Sequence, residues 1–147
     1  MKKKIIIIAG DPNSINSEII YKSWKKINIS LKKKIYFIAN YNLLKRQFKI
    51  LKYNVKLQKI ENELDKIESA NLKIIDIKLN FKSSFKVPPK SASLYVLKSL
   101  NIAHFLALRD DVKGIINCPI DKKLLLKKKV GVTEILAKKC KIKNKSE

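Results

Sequence analysis

The first turn of this chain constrains everything after it. Lys4–Ala9 carries four successive isoleucines and then meets Gly10-Asp11-Pro12-Asn13. An aliphatic run with no polar face predicts a strand covered on both sides, as in the interior of a parallel sheet. Gly-Asp-Pro-Asn then breaks the run with turn chemistry. Beyond it Ile15, Ile19, Ile20, Trp24 and Ile27 recur at helical spacing, with Lys22, Lys25 and Lys26 on the other side. The chain therefore opens as strand, tight loop, helix.

The same alternation continues. Ile35–Ala39 is a second aliphatic strand and Tyr41–Leu51 a second helix. Val55–Leu57 and Leu72–Ile77 are shorter strands around a polar stretch, Glu61–Ser69, that is either loop or exposed helix. Asn80–Lys90 is serine-rich, ends in Pro88-Pro89 and reads as an irregular connection. Ser91–Leu108 is the strongest helix. Ala92, Tyr95, Val96, Ser99, Leu100, Ala103 and Ala107 form one stripe, and Leu94, Leu97, Phe105 and Leu108 widen it so that both sides are expected to pack. Lys113–Asn117 is a further strand closed by Cys118-Pro119, and Thr133–Cys140 reads as a last helix. Strands alternating with helices predict an α/β unit spanning 1–147, its mostly parallel sheet flanked by helices. In such sheets the loops leaving the carboxyl ends of strands form the ligand crevice. Here these are Gly10–Ser17 and Asn117–Lys122, expected at the same edge.

With 34 Lys+Arg against 12 Asp+Glu the net charge is +22, which raises nucleic acid or an anionic membrane as partners. The lysines, however, are spread along the chain in short runs. Only Arg46 and Arg109 are arginines, the better fork for phosphates and base edges, and no aromatic–basic alternation suits base stacking. The bias toward Lys, Ile and Asn matches AT-rich codon usage. Nucleic acid is therefore not the expected partner, and the charge is expected to lie diffusely over the surface. No apolar run reaches the ~20 residues of a membrane helix, and the short Ile5–Ala9 stretch is no signal peptide. A cytoplasmic protein is expected.

Three glycines, Gly10, Gly114 and Gly131, cannot build a Gly-x-Gly-x-x-Gly or Walker loop. Cys118 and Cys140 form no Cys-x-x-Cys pair and read as reduced thiols. His104, the one histidine, lies inside the long helix and reads as a packed or surface residue.

Resemblance adds function to this architecture. Ile5-Ile-Ile-Ile-Ala-Gly-Asp-Pro-Asn-Ser-Ile-Asn-Ser-Glu18 resembles the opening of the 4-hydroxythreonine-4-phosphate dehydrogenases of vitamin B6 synthesis, where a strand runs into Gly-Asp-Pro-x-Gly-Ile-Gly-Pro-Glu. Gly10, Asp11, Pro12, Ile15 and Glu18 are kept, while Ser14, Asn16 and Ser17 replace two glycines and a proline. Gly114-Ile-Ile-Asn-Cys-Pro-Ile-Asp-Lys122 is similar to the family's strand followed by Gly-Pro-x-x-Lys, with Cys118 in a glycine position. Gly131-Val132-Thr133-Glu134 resembles its Gly-His-Thr-Glu, with Val132 in the place of the histidine.

The resemblance implies the N-terminal portion of an isocitrate/isopropylmalate dehydrogenase-like fold, with this chain a fragment or shortened, divergent member of a longer two-domain enzyme. It implies oxidation of the secondary hydroxyl of 4-phosphooxy-L-threonine, with hydride passing to NAD or NADP. The β-keto acid then loses carbon dioxide to give 3-amino-2-oxopropyl phosphate. A divalent cation is implied as well, its histidine ligands lying outside this chain, and so is a homodimer. The implied substrate contacts are Thr133 and the Val132 position, with Lys122 and Asp11 as further candidates. Thr133 is also placed to cap the last helix, and the catalytic and cofactor-binding residues stay unassigned. By itself the chain is expected to be inactive. A basic nucleic-acid-binding domain and a catalytically silent pairing domain are the alternatives.

Overall fold

The computed structural model describes residues 3–60, 64, 69–125 and 131–140. Five strands, β1 (Lys4–Ile8), β2 (Ile35–Ala39), β3 (Leu57–Ile60), β4 (Leu72–Asp76) and β5 (Val112–Asn117), form one sheet in the order β3-β4-β2-β1-β5. Every pairing is parallel. The isoleucine run lies inside this sheet between β2 and β5, as an aliphatic strand without a polar face requires.

Five α-helices complete the described fold: α1 (Asn16–Lys26), α2 (Ile29–Lys32), α3 (Tyr41–Ile50), α4 (Pro89–Ala107) and α5 (Val132–Lys139). The two sheet faces carry separate cores. Ile6, Ile8, Tyr36 and Ile38 pack against Tyr95, Val96, Leu100 and Ala103 of α4, with Val132 and Ile135 of α5 at the margin. On the other face Ile35, Phe37 and Ile74 pack against Ile20 and Trp24 of α1 and Leu44 and Phe48 of α3. Most of the polar 61–69 stretch lies outside the described residues.

Several boundaries differ from the sequence reading. The helix expected from Ser91 starts at Pro89, because proline at the first helical position lacks only an N–H that would have had no helical partner. The expected packing on both sides of this helix is wrong. Ala92, Tyr95, Val96, Ser99, Leu100 and Ala103 are buried, but Leu94, Phe105 and Leu108 are exposed. One helix face meets the sheet; the 3.6-residue period carries the other three outward. The short α2 has no apolar stripe to announce it, and is held by the Asn28 side chain accepting the Leu31 N–H.

One buried charge supports the lower end of the sheet. Lys73 on β4 is fully buried, and its Nζ donates to the carbonyls of Lys32 (3.0 Å), Lys33 (3.0 Å) and Ser69 (2.8 Å), 4.7 Å above the Tyr36 ring. Burial pushes its pKa down to about 8. Between pH 8 and the ordinary lysine value of 10.5, the unfolded chain binds more protons at this site than the folded one. Stability contributed by this site therefore rises with pH across that window and is lowest below pH 8. The span is at most about 3 kcal/mol, since each pKa unit is worth about 1.4 kcal/mol and the three carbonyls oppose the loss of the proton. Comparing urea unfolding of wild type and Lys73→Met from pH 7 to 10.5 isolates this slope from the other lysines. Parallel curves would show that the ammonium is fully compensated.

Candidate functional site

The strand order reverses between β1 and β5. From β1 the chain moves to β2 on one side, and after β4 it returns to β5 on the other. The helix after β1 packs on one face and α5, after β5, on the opposite face. Such a switch point opens a crevice at the carboxyl ends of the two strands. The 10–17 and 117–122 turns leave from that edge, as expected from the two aliphatic runs, because β1 and β5 are adjacent and parallel.

The two turns are bonded directly to each other. Cys118 N–H donates to the Ile8 carbonyl (2.9 Å) and Asp11 N–H to the Pro119 carbonyl (3.2 Å). The Asn16 side-chain amide donates to the carbonyls of Pro119 (2.7 Å) and Ala9 (2.9 Å). Gly10 adopts φ +77°, and a Cβ there would lie 2.7 Å from Asn16 Nδ2, 2.7 Å from the Pro119 oxygen and 2.8 Å from the Cys118 oxygen. Only glycine fits, both for its φ and for its neighbours.

Further polar side chains fix the first turn from outside. Asn13 and Val87 exchange two hydrogen bonds, Nδ2 to the Val87 carbonyl (2.9 Å) and Val87 N–H to Oδ1 (2.7 Å). Gln47 of α3 donates to the carbonyls of Pro12 (2.9 Å) and Ser84 (2.7 Å). Sequence reasoning missed Asn13, Asn16 and Gln47 as positioning residues; the one available signal was Asn16 standing in a glycine position of the resembled motif. Asn16 Oδ1 and Ser17 Oγ are buried without a hydrogen-bond partner, and the Ile15 cap position of α1 makes no side-chain cap bond. The crevice is thus bordered by the N-terminus of α1, where Ser14 Oγ accepts the Asn16 N–H (3.2 Å) in place of a bond from the Ile15 cap position.

The expected site residues are distributed as follows. Asp11 is half-buried, and its Oδ1 accepts the Asn13 N–H (2.8 Å), so the carboxylate shapes the turn. Lys122 is exposed and opens a 3-10 turn, Lys122–Leu124, at the crevice edge, where Asp121 Oδ1 accepts the Lys123 N–H. Cys118 is buried, and burial pushes its thiol up to about 11, the state of an inert packing residue. Thr133 is exposed and second in α5. The expectation that it caps this helix is corrected: the cap position falls one residue before Val132, to Gly131, which has no side chain to offer. Glu134 instead folds its carboxylate back over Gly131. Val132 packs with the α4-side core. Asp11 and Lys122 thus share the crevice edge, whereas among the described residues no hydrogen bond joins Thr133 to either turn. His104 is half-buried on α4, its Nδ1 3.7 Å from Cys140 Sγ.

Neither implied small-molecule partner finds a complete holder here. Among the described residues no three His, Cys, Asp or Glu side chains gather at metal-binding distance. The glycine after β1, where a pyrophosphate could approach the backbone, is already enclosed by Asn16, Cys118 and Pro119. No described helix is long and apolar enough to cross a membrane.

Comparison with known proteins places this geometry. A family profile for the pyridoxal phosphate biosynthetic protein PdxA matches residues 30–146. The match includes the Gly114–Lys122 and Gly131–Glu134 motifs and starts after the 10–18 turn. A candidate 4-hydroxythreonine-4-phosphate dehydrogenase from Salmonella typhimurium is 29% identical with a TM-score of 0.75, over 94% of this chain and 44% of that one. The 4-hydroxythreonine-4-phosphate dehydrogenase from Klebsiella pneumoniae is 25% identical with a TM-score of 0.68, over 84% and 39%. The enzyme of that name from Burkholderia phymatum, 20% identical with a TM-score of 0.73 over 98% and 45%, shares the fold. This chain spans less than half the length of these solved structures. No curated protein sequence matches it significantly.

Proposed function

This chain belongs to the family of the pyridoxal phosphate biosynthetic protein PdxA, and from that membership we propose that it forms one wall of a 4-hydroxythreonine-4-phosphate dehydrogenase site. The proposed reaction is the NAD- or NADP-linked oxidation and decarboxylation of 4-phosphooxy-L-threonine. The observation that carries the reading is the junction of the 10–17 and 117–122 turns at the switch point between β1 and β5, which offers a fixed crevice on the strand ends. A phosphorylated amino acid is anionic. The N-terminus of α1 and the exposed Lys122 ammonium at the crevice edge give such a substrate favourable surroundings.

Within this reading the Thr133 hydroxyl, near the N-terminus of α5, is the proposed hydrogen-bond donor to substrate, and Lys122 the anion contact. Val132 cannot hydrogen-bond, so the polar contact that the family's histidine makes is not reproduced at this position. The described residues form neither a dinucleotide cradle nor a metal set. The proposed contribution of this chain is therefore binding and orientation, within a longer single-chain or two-chain enzyme that acts as a homodimer.

The test is reduction of NAD or NADP that depends on 4-phosphooxy-L-threonine, measured on an active form of the protein that contains this chain. In that form Thr133→Ala is expected to raise KM about tenfold, the loss of roughly 1.4 kcal/mol of binding, with the unfolding midpoint almost unchanged because Thr133 is exposed and caps nothing. An unchanged KM and kcat would remove Thr133 from the site. Absence of any turnover of this substrate would overturn the reading.

A further inference from the structure

Helix α3 buries Leu43, Leu44, Gln47 and Phe48 and leaves Lys45, Arg46 and Lys49 exposed. These three cations, with the Asn42 and Asn80 amides, border an open-sided hollow of about 590 Å³ between α3 and the 79–81 stretch that follows β4. Arg46 lies over the Phe81 ring, 5.3 Å from its centre, which steadies the guanidinium against one wall. A neighbouring hollow of about 390 Å³ shares Lys45 and Lys49 and adds Lys52. Neither hollow has a carboxylate in its walls.

Two features set this face apart from lysines scattered over a surface. Elsewhere cations are answered: Lys22 by Glu18 one turn away, Lys59 by Asp76, and Lys4 and Arg109 by Asp111. By contrast α3 contains no acidic residue, and among the described residues Lys45, Arg46, Lys49 and Lys52 have no ion-pair partner. Lys45 and Lys49, four residues apart on the helix, therefore repel each other. The second feature is the backbone at Lys52. Its φ of +56° is left-handed, and it follows the Leu51 cap of α3, where glycine is the favoured residue. A fourth cation is thus held at the cost of local strain.

We propose that this outward face of α3 binds a chain of linked phosphates, as found in a nucleoside triphosphate or an inorganic oligophosphate. Lys45, Arg46, Lys49 and Lys52 are its cationic contacts, and the Asn42 and Asn80 amides add neutral donors. A single phosphate, with a charge of about −2, leaves half of the four cations unbalanced; a triphosphate chain balances them. Gln47 holds the 10–17 turn from the inward side of the same helix, so this surface is separate from the crevice and its test does not depend on turnover.

The probe is sodium tripolyphosphate, titrated calorimetrically into the full chain at about 0.15 M salt, where exposed charges more than ~8 Å apart are largely screened. One tripolyphosphate is expected to bind per chain, at least tenfold more tightly than orthophosphate. Arg46→Gln with Lys49→Gln should weaken binding at least tenfold. Lys25→Gln with Lys26→Gln, which removes the same charge from exposed positions on α1, should change it less than twofold. Lys52→Gly separates binding from folding. Glycine relaxes the left-handed backbone, so the unfolding midpoint should rise while affinity falls at least threefold. A parallel titration with ATP distinguishes the two sources: affinity above that of tripolyphosphate assigns the face to a nucleoside triphosphate, and equal or lower affinity to the inorganic chain. Absence of binding, several bound ions per chain, or equal losses in the two double variants would overturn the proposal in favour of diffuse charge. So would unchanged affinity in Lys52→Gly, or tighter binding of NAD to the same residues, which would make the face part of a dinucleotide site.

Discussion

Gly10→Ala is expected to destabilise the protein by about 2–5 kcal/mol and to lower its unfolding midpoint by roughly 5–15 °C. Two costs combine. A left-handed backbone disfavours any Cβ, by about 1–2 kcal/mol, and Gly10 sits at φ +77°. The new methyl would also press against the Pro119 and Cys118 carbonyl oxygens at 2.7 and 2.8 Å. These are backbone atoms that can withdraw only by moving the 117–122 turn. Gly114→Ala is the matched control, since its Cβ would enter open space at an ordinary φ, and it is expected to change stability by less than about 1 kcal/mol. Chemical denaturation of both variants decides the point; similar midpoints would show that the two turns are not rigidly joined.

Asn16→Ala is expected to cost about 1–3 kcal/mol, because the buried Ala9 carbonyl loses its side-chain donor and the Pro119 carbonyl keeps only the Asp11 N–H. Asn16→Asp should cost more than Asn16→Ala despite its identical shape. A carboxylate cannot donate, and it would place negative charge against the same two oxygens. In hydrogen exchange the 117–122 turn should open in either variant while α3 stays protected. Because Gly10 and Asn16 are in contact, the Gly10→Ala, Asn16→Ala pair should cost less than the sum of its single changes. An additive pair, or an Asp variant as stable as the Ala variant, would mean that the amide does not hold the crevice together.

The aliphatic strands were legible because their signal is local. Four isoleucines in a row, and Ile35–Ala39, leave only one kind of environment, and β2 spans the same residues as the run that announces it. The parallel sheet and the shared edge of the two turns followed from strand–helix alternation alone. What escaped was set by contacts across the chain. Asn13 meets Val87, Asn16 meets Pro119 and Gln47 meets Pro12; polar residues bonded to distant backbone have no signature in their own neighbourhood. The two-sided packing expected for α4 failed for a related reason. Apolar composition says how much of a helix could be buried, but only the neighbouring elements decide which part is. At Thr133 the preference of threonine for helix starts marks the boundary, but the cap itself lies two residues earlier, at Gly131.

The central position of β1 has a consequence for synthesis. It is made before every other described strand, yet its β5 neighbour starts at Val112, more than a hundred residues later. At about 5–20 residues per second of translation, roughly 5–20 s pass between the two. Throughout that interval a bare isoleucine strand waits with one edge open. The nascent chain therefore depends on early docking of α1 and β2, or on a chaperone, to keep its most apolar segment from pairing with the wrong neighbour.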